Sequence, residues 1–123
     1  MSPRSEEFAS EARRRLVAAR HSIDAGDFGV AVGVAYYAML YAARAALSER
    51  DLNAKTHGGT WSLFADHLVR TAVVDSGIAA KARDAERLRY EVDYDASDAD
   101  REVAEALLTD AERFVDAVLR TLG

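Results

Sequence analysis

Lys55-Thr56-His57-Gly58-Gly59 sets a cation, a hydroxyl, an imidazole and a flexible backbone ahead of an apolar helical stretch. The free N–H groups of a helix entrance can receive an anion there. The same five residues also make an ordinary N-terminal cap with glycines for the turn. A second polar segment runs Arg87-Leu88-Arg89-Tyr90-Glu91-Val92-Asp93-Tyr94. Spacing by four pairs Arg87 with Glu91, Arg89 with Asp93 and Tyr90 with Tyr94, so Arg89, Asp93 and one tyrosine can share a helix face. Ion pairing on a solvated helix would leave the same pattern.

Other chemistries are excluded by what is missing. The chain has no cysteine, which removes disulfides, thiolate zinc sites, iron–sulfur clusters and a cysteine nucleophile together. Its histidines are His21, His57 and His67, and no two have metal-ligand spacing along one helix face. A carboxylate di-iron site needs Glu-x-x-His pairs facing inward from two helices, and none occurs. There is no nucleophile elbow and no glycine-rich phosphate loop. Neither a metal nor a cofactor is expected.

These residues must be carried by helices. The 123 residues include 25 alanines against seven glycines and one proline, Pro3. Alanine is the best helix former, and glycine and proline are the usual interruptions. With 50% hydrophobic and 30% charged residues, the chain reads as one soluble all-α domain spanning 1–123. The longest uncharged run, Phe28 to Ala43, is short for a membrane span, which takes about 20 residues. It reads as a buried core helix. No secretory signal or lipid anchor is visible at the N-terminus, and a cytoplasmic protein is expected. The net charge of −5 argues against broad nonspecific DNA binding, which favours basic domains. Residues 93–112 hold eight acids against Arg101. A solvated face explains that window, and charge complementarity to a basic partner is the alternative. Local basic patches remain possible from Arg13, Arg14, Arg15 and Arg20, or from Lys81, Arg83, Arg87 and Arg89.

Apolar residues recur at helical spacing in four long stretches. Phe8, Ala12, Leu16, Ala19 and Ile23 form the first stripe, with the arginines outward and Gly26 as its end. Asp27 can cap a second helix running to about Arg50. Asp51 to Thr60 reads as a loop, followed by a shorter helix with Trp61, Phe64, Leu68 and Ala72 on one face and Asp75-Ser76-Gly77 as its break. A third long helix is expected from about Ile78 to Tyr94, with Ala82, Ala85, Leu88 or Arg89, and Val92 inward. Ser97 and Asp100 resemble a capping arrangement. The last helix carries Val103, Leu107, Ala111, Phe114, Val118 and Leu122, joined by Leu108, Val115 and Leu119. That stripe is wide enough for a core and for contact with a second subunit. The architecture is an antiparallel helical bundle with one short extra helix.

The residues resemble the HEPN domains, in particular small proteins of the UPF0332 type. The resemblance lies in Gly26-Asp27-Phe28, then Ala35-Tyr36-Tyr37-Ala38-Met39-Leu40-Tyr41-Ala42-Ala43-Arg44-Ala45-Ala46-Leu47, then Lys55-Thr56-His57 with Phe64, and Arg89-x3-Asp93-Tyr94. These occur in the family's order, from the first helix to Phe114-Val115. The resemblance implies a four-helix up-and-down bundle with a short added helix. It also implies a nucleotide- or RNA-handling role, with a nucleotidyltransferase often encoded beside the gene in toxin–antitoxin pairs.

In the nuclease branch of that family the signature is Arg-x4-6-His on the third long helix, with two copies facing across a homodimer. Its imidazole serves as general base and its guanidinium steadies the phosphorane. This chain departs from the signature. No histidine follows Arg87 or Arg89 on that helix, and the nearest positions hold Asp93 and Tyr94. Tyrosine, with an ordinary pKa of about 10, is a poor base at neutral pH. Spacing pairs Asp93 with Arg89, and His57 supplies an imidazole only if its loop folds against that helix.

The expectation is therefore a dimeric binding or partner module in a toxin–antitoxin-like or stress and defence setting. Lys55, His57, Arg87, Arg89, Asp93 and Tyr94 would line a polar pocket for a nucleotide, RNA or a nucleotidyltransferase-type partner. One alternative is a metal-independent endoribonuclease using Arg89, His57, Asp93 and Tyr94. The other is a structural bundle without a ligand.

Overall fold

The computed structural model describes residues 1–95, 97 and 99–122; Asp98, one of the eight clustered acids, lies outside them. The described residues form an antiparallel four-helix up-and-down bundle with a short additional helix. The long helices are α1 (Pro3–Asp24), α2 (Phe28–Ser48), α4 (Ser76–Tyr94) and α5 (Arg101–Arg120), and the short one is α3 (His57–Phe64), continued by a π-helical turn at Ala65–Val69.

Helix α2 is the hub. It packs against α1, α3, α4 and α5. Its alanines at 31, 35, 38, 42, 43, 45 and 46 are all buried, and small side chains let four neighbours approach one axis closely. By length and composition α2 could cross a membrane, yet 67% of its most apolar stretch is buried inside the bundle. That burial accounts for its hydropathy.

Helix ends follow local chemistry, with shifts from the expected boundaries. Gly26 takes φ +82°, a left-handed turn that an L side chain enters only at a cost. Asp27 occupies the N-cap position of α2 but makes no side-chain cap hydrogen bond, so the expected cap is positional only. Thr56 caps α3 by accepting from the Gly59 amide at 2.9 Å. Helix α3 thus begins at His57, inside the stretch expected to be loop. An N-cap hydroxyl contributes about 1 kcal/mol, which offsets part of the cost of the two glycines in the first turn.

The π-turn ends near Val69, and Ala72 sits at φ +61°, exposed rather than on the expected stripe. Asp75 accepts from the Ile78 amide at 3.1 Å and so starts α4 rather than merely ending α3. Asp100 caps α5 through the Val103 amide at 2.9 Å, whereas the Ser97 hydroxyl donates to Asp95.

The wide apolar stripe of α5 is absorbed by the chain itself. Leu107, Leu108, Ala111, Phe114, Val115, Val118 and Leu122 are all buried in its own core. Large apolar side chains lie exposed elsewhere, among them Val30 at 58%, Tyr90 at 57% and Tyr94 at 96%.

Candidate functional site: a tyrosine and arginine cluster between helices α2, α3 and α4

Tyr36 is a fully buried polar side chain in the middle of the alanine-rich helix α2, and a buried hydroxyl needs partners. It has three. Trp61 Nε1 of α3 donates to it at 3.0 Å, and it donates to Glu86 Oε2 of α4 at 3.0 Å. His57 Nδ1, at the start of α3, stands 3.4 Å away.

The network assigns the protons. A phenol has one hydrogen and a carboxylate only accepts, so that hydrogen goes to Glu86. The His57 contact then requires Nδ1–H as the donor, which leaves the Nε2 lone pair free. Burial first, then the Arg89 and Arg44 guanidiniums, hold the His57 pKa below its ordinary value, against the pull of Glu86. The imidazole is neutral at neutral pH. Burial also pushes the Tyr36 phenol up to about 12.

Beside this network stand three half-buried arginines. The Arg89 guanidinium lies 5.0 Å from the Tyr36 ring centroid, 5.5 Å from that of Tyr37 and 4.8 Å from that of Tyr90. Its NH1 donates to the Tyr37 hydroxyl at 3.3 Å. Arg15 stacks over Tyr37 and Tyr41 at 5.7 and 5.4 Å, and Arg44 over Tyr41 at 5.9 Å. Stacking on rings holds a guanidinium in place without using its N–H donors. Arg15 is ion-paired with Glu11, whose Oε1 accepts from Arg15 Nε at 2.8 Å and whose Oε2 accepts from Arg14. Arg44 and Arg89 make no ion pair among the described residues, and the Nε of each is buried with no hydrogen-bond partner. A buried, unpaired charged donor is costly unless something outside the chain satisfies it.

A profile of the HEPN domain matches residues 5–121. The chain belongs to the HEPN family. It is 36% identical to a UPF0332 protein of Gloeobacter violaceus, glr0978, over all of this chain and 99% of that protein. It is 30% identical to "Putative toxin MJ0605" of Methanocaldococcus jannaschii, over 90% of this chain and 83% of that protein. A second protein of that organism, "Putative toxin MJ0142", is 28% identical over 95% of this chain and 80% of its own length.

Within this HEPN chain, the residues singled out from sequence do not all meet. His57 and Arg89 flank the same tyrosine pair, since the His57 ring lies 5.9 Å from that of Tyr36 and 5.6 Å from that of Tyr37. Tyr94 stands 96% exposed. Arg87 points outward and pairs with Asp84 at 3.7 Å, not with Glu91. Arg89 turns onto the tyrosine rings instead of pairing with Asp93, because it lies on the buried stripe of α4 beside Ala82, Ala85 and Val92. Asp93 is exposed and lines a groove with Arg15, Gly33 and Tyr37. Lys55 is exposed and makes no hydrogen bond or ion pair among the described residues. No group of three metal-ligating side chains occurs among the described residues.

Sequence reasoning passed over Tyr36, Tyr37, Trp61, Glu86 and Arg44 as members of the site, and Arg15 was expected to face outward. The signals were present. Two adjacent tyrosines in an alanine helix bring hydroxyls into a core that must answer them. Glu86 precedes Arg89 by three residues, which puts both on one face of α4.

Proposed function

We propose that this HEPN chain is a toxin-type module that grips the phosphate backbone of single-stranded RNA at the Arg44, Arg89 and His57 cluster. The observation that carries the reading is the pair of half-buried guanidiniums of Arg44 and Arg89, which make no ion pair among the described residues and are held on tyrosine rings. Pre-positioned guanidinium forks suit phosphate better than lysine does, because they match its oxygens bidentately. Adjacent tyrosine rings are surfaces on which bases stack. The toxin-type setting rests on the relatives' names, and the reading includes a cytoplasmic location.

A titration of labelled single-stranded RNA followed by fluorescence anisotropy tests it. Binding should weaken with salt, with a logarithmic slope of about −2 for two or three phosphates neutralised. Arg44→Met and Arg89→Met should each weaken it more than tenfold. Binding that neither substitution alters would overturn the reading.

A second reading, metal-independent cleavage of the bound RNA, is favoured by the free Nε2 of neutral His57 beside Arg89. His57 would take the 2′-hydroxyl proton as the 2′-oxygen bonds to phosphorus, and Arg89 would steady the charge gathering on the phosphorus-bound oxygens. The P–O5′ bond would break, with the 5′-oxygen taking its proton from the imidazolium or water. Here the imidazole comes from α3 rather than from the Arg-bearing helix. Incubation in EDTA should then give 2′,3′-cyclic phosphate ends, and His57→Gln should abolish them while leaving RNA bound.

The proposal extends to assembly. The exposed Val30, Tyr90 and Tyr94 support a second copy seated on the α2 and α4 side, and the acid-rich window at residues 93–112 supports a basic, nucleotidyltransferase-type partner. Light scattering at micromolar concentration should give twice the chain mass of 13.4 kDa; a monomer alone would count against the second copy.

A further inference from the structure

A cleft of about 270 Å³ opens between α3, its π-turn and the first half of α4, and Trp61 and Glu86, which both bond Tyr36, are among the residues that line it. Trp61 and Phe64 supply aromatic surface, Ala79 and Ala82 aliphatic surface, and Ser76, Arg83 and Glu86 the polar groups. We infer that this cleft takes the guanine base of the RNA nucleotide whose phosphate lies on the arginine cluster, an inference that rests on the phosphate-binding reading.

Size sets the first limit. Ligand pockets run from about 300 to 1,000 Å³ for drug-sized molecules, so this one holds a single ring system. Its walls suit a flat one. Continuity sets the second limit, because Trp61 and Glu86 belong to both places. Trp61 donates to Tyr36 with its indole nitrogen and lines the cleft. Glu86 accepts from Tyr36 with Oε2 alone, and a carboxylate has acceptor sites to spare.

The polar pair chooses the base. Arg83 and Glu86 are three residues apart and therefore neighbours on one face of α4. Together they offer donors beside acceptors. Guanine presents two adjacent donors, N1–H and N2–H₂, for Glu86 and the O6 and N7 acceptors for Arg83, whereas adenine and cytosine offer an amino group with no ring N–H beside it. Uracil has no amino group to offer the carboxylate. A cationic peptide side chain would satisfy Glu86 but would meet the Arg83 charge at the same opening. The π-helical turn that forms one wall is a geometry found frequently at functional sites.

Calorimetric titration of the intact protein with guanosine, inosine, adenosine, uridine, ribose 5-phosphate and N-acetylarginine amide tests the cleft apart from the phosphate site. Guanosine should bind at least tenfold tighter than inosine, which lacks the N2 amino group, and than uridine. Arg83 is exposed, so Arg83→Ala should leave folding intact. It should weaken guanosine and inosine alike, because both present O6 and N7 to Arg83, while leaving ribose 5-phosphate binding unchanged. Equal binding of all four nucleosides, guanosine binding that Arg83→Ala leaves unchanged, or selective binding of the arginine amide overturns the inference. Failure of ribose 5-phosphate alone to bind counts instead against the phosphate-binding reading, and the guanosine arm still decides the cleft.

Discussion

The hydroxyl of Tyr36 and the carboxylate of Glu86 lie 3.0 Å apart, joining the core helix α2 to the helix that carries Arg89. Because that bond uses the only phenolic hydrogen, it dictates which nitrogen of His57 can hold a proton. A contact inside the bundle thus sets the chemistry of an imidazole at its edge. Removing the Tyr36 hydroxyl should be felt both in stability and in the state of His57.

Tyr36→Phe leaves the Trp61 indole N–H and one Glu86 oxygen without their partner. Leaving buried polar groups unsatisfied costs about 1–3 kcal/mol, and denaturant unfolding should show a loss of that size. The native phenol stays neutral up to about 12, against about 10 in an unfolded chain. Its contribution is therefore complete below pH ~10 and is lost as pH climbs towards the folded value. Unchanged stability in the variant would refute the three-way hydrogen-bond arrangement.

His57 gives the opposite sign at acid pH. Its folded pKa is depressed, so the unfolded chain takes up the proton first as pH falls below about 6.5. Stability from this residue is complete above that pH and declines beneath it. His57→Gln should flatten the decline, and an NMR titration should place the ring's midpoint below 6.5. A midpoint above it would contradict the burial and the arginine neighbours.

Arg89→Met should separate stability from binding. The substitution keeps an unbranched, apolar stem on the tyrosine rings and removes a buried, unpaired Nε. Lost stacking and relieved desolvation oppose each other, so the melting temperature should change by no more than a few degrees. RNA affinity should fall more than tenfold.

Tyr94→Ala and Arg87→Ala alter side chains that lie outside the cluster. Exposed substitutions of this kind usually fall within about 0.5 kcal/mol, and both should leave RNA binding by the isolated chain unchanged. A tenfold loss in either would show that the site extends to the end of α4.

Gly26→Ala places a Cβ at φ +82°. The left-handed conformation costs an ordinary residue about 1–2 kcal/mol, and thermal unfolding should register it. A neutral result would mean that the α1–α2 turn can rebuild with φ negative.

The bundle was legible because alanine content and apolar periodicity both report on helix faces, and α1, α2, α4 and α5 follow their stripes. Boundaries were less so. Thr56 and Asp75 act through single cap hydrogen bonds that composition does not reveal, so α3 and α4 begin earlier than their apolar residues suggest. At the site, His57 and Arg89 were visible as residue types, but their meeting depends on how α3 docks on α2. Pairing by fours put Arg89 with Asp93, whereas burial of the α4 stripe turned it onto Tyr36 and Tyr37. Tyr36 was hidden for the reason that makes it central. It looked like one more large side chain in an apolar helix.

The most direct measurement follows the Nε–Hε signals of Arg44 and Arg89 by ¹H–¹⁵N NMR while single-stranded RNA is added. If phosphate docks on these two guanidiniums, both signals should shift in step with binding, and Arg89→Met should abolish the response of Arg44 at the same RNA concentration. RNA that binds while both signals stay where they were would contradict the assignment of the site.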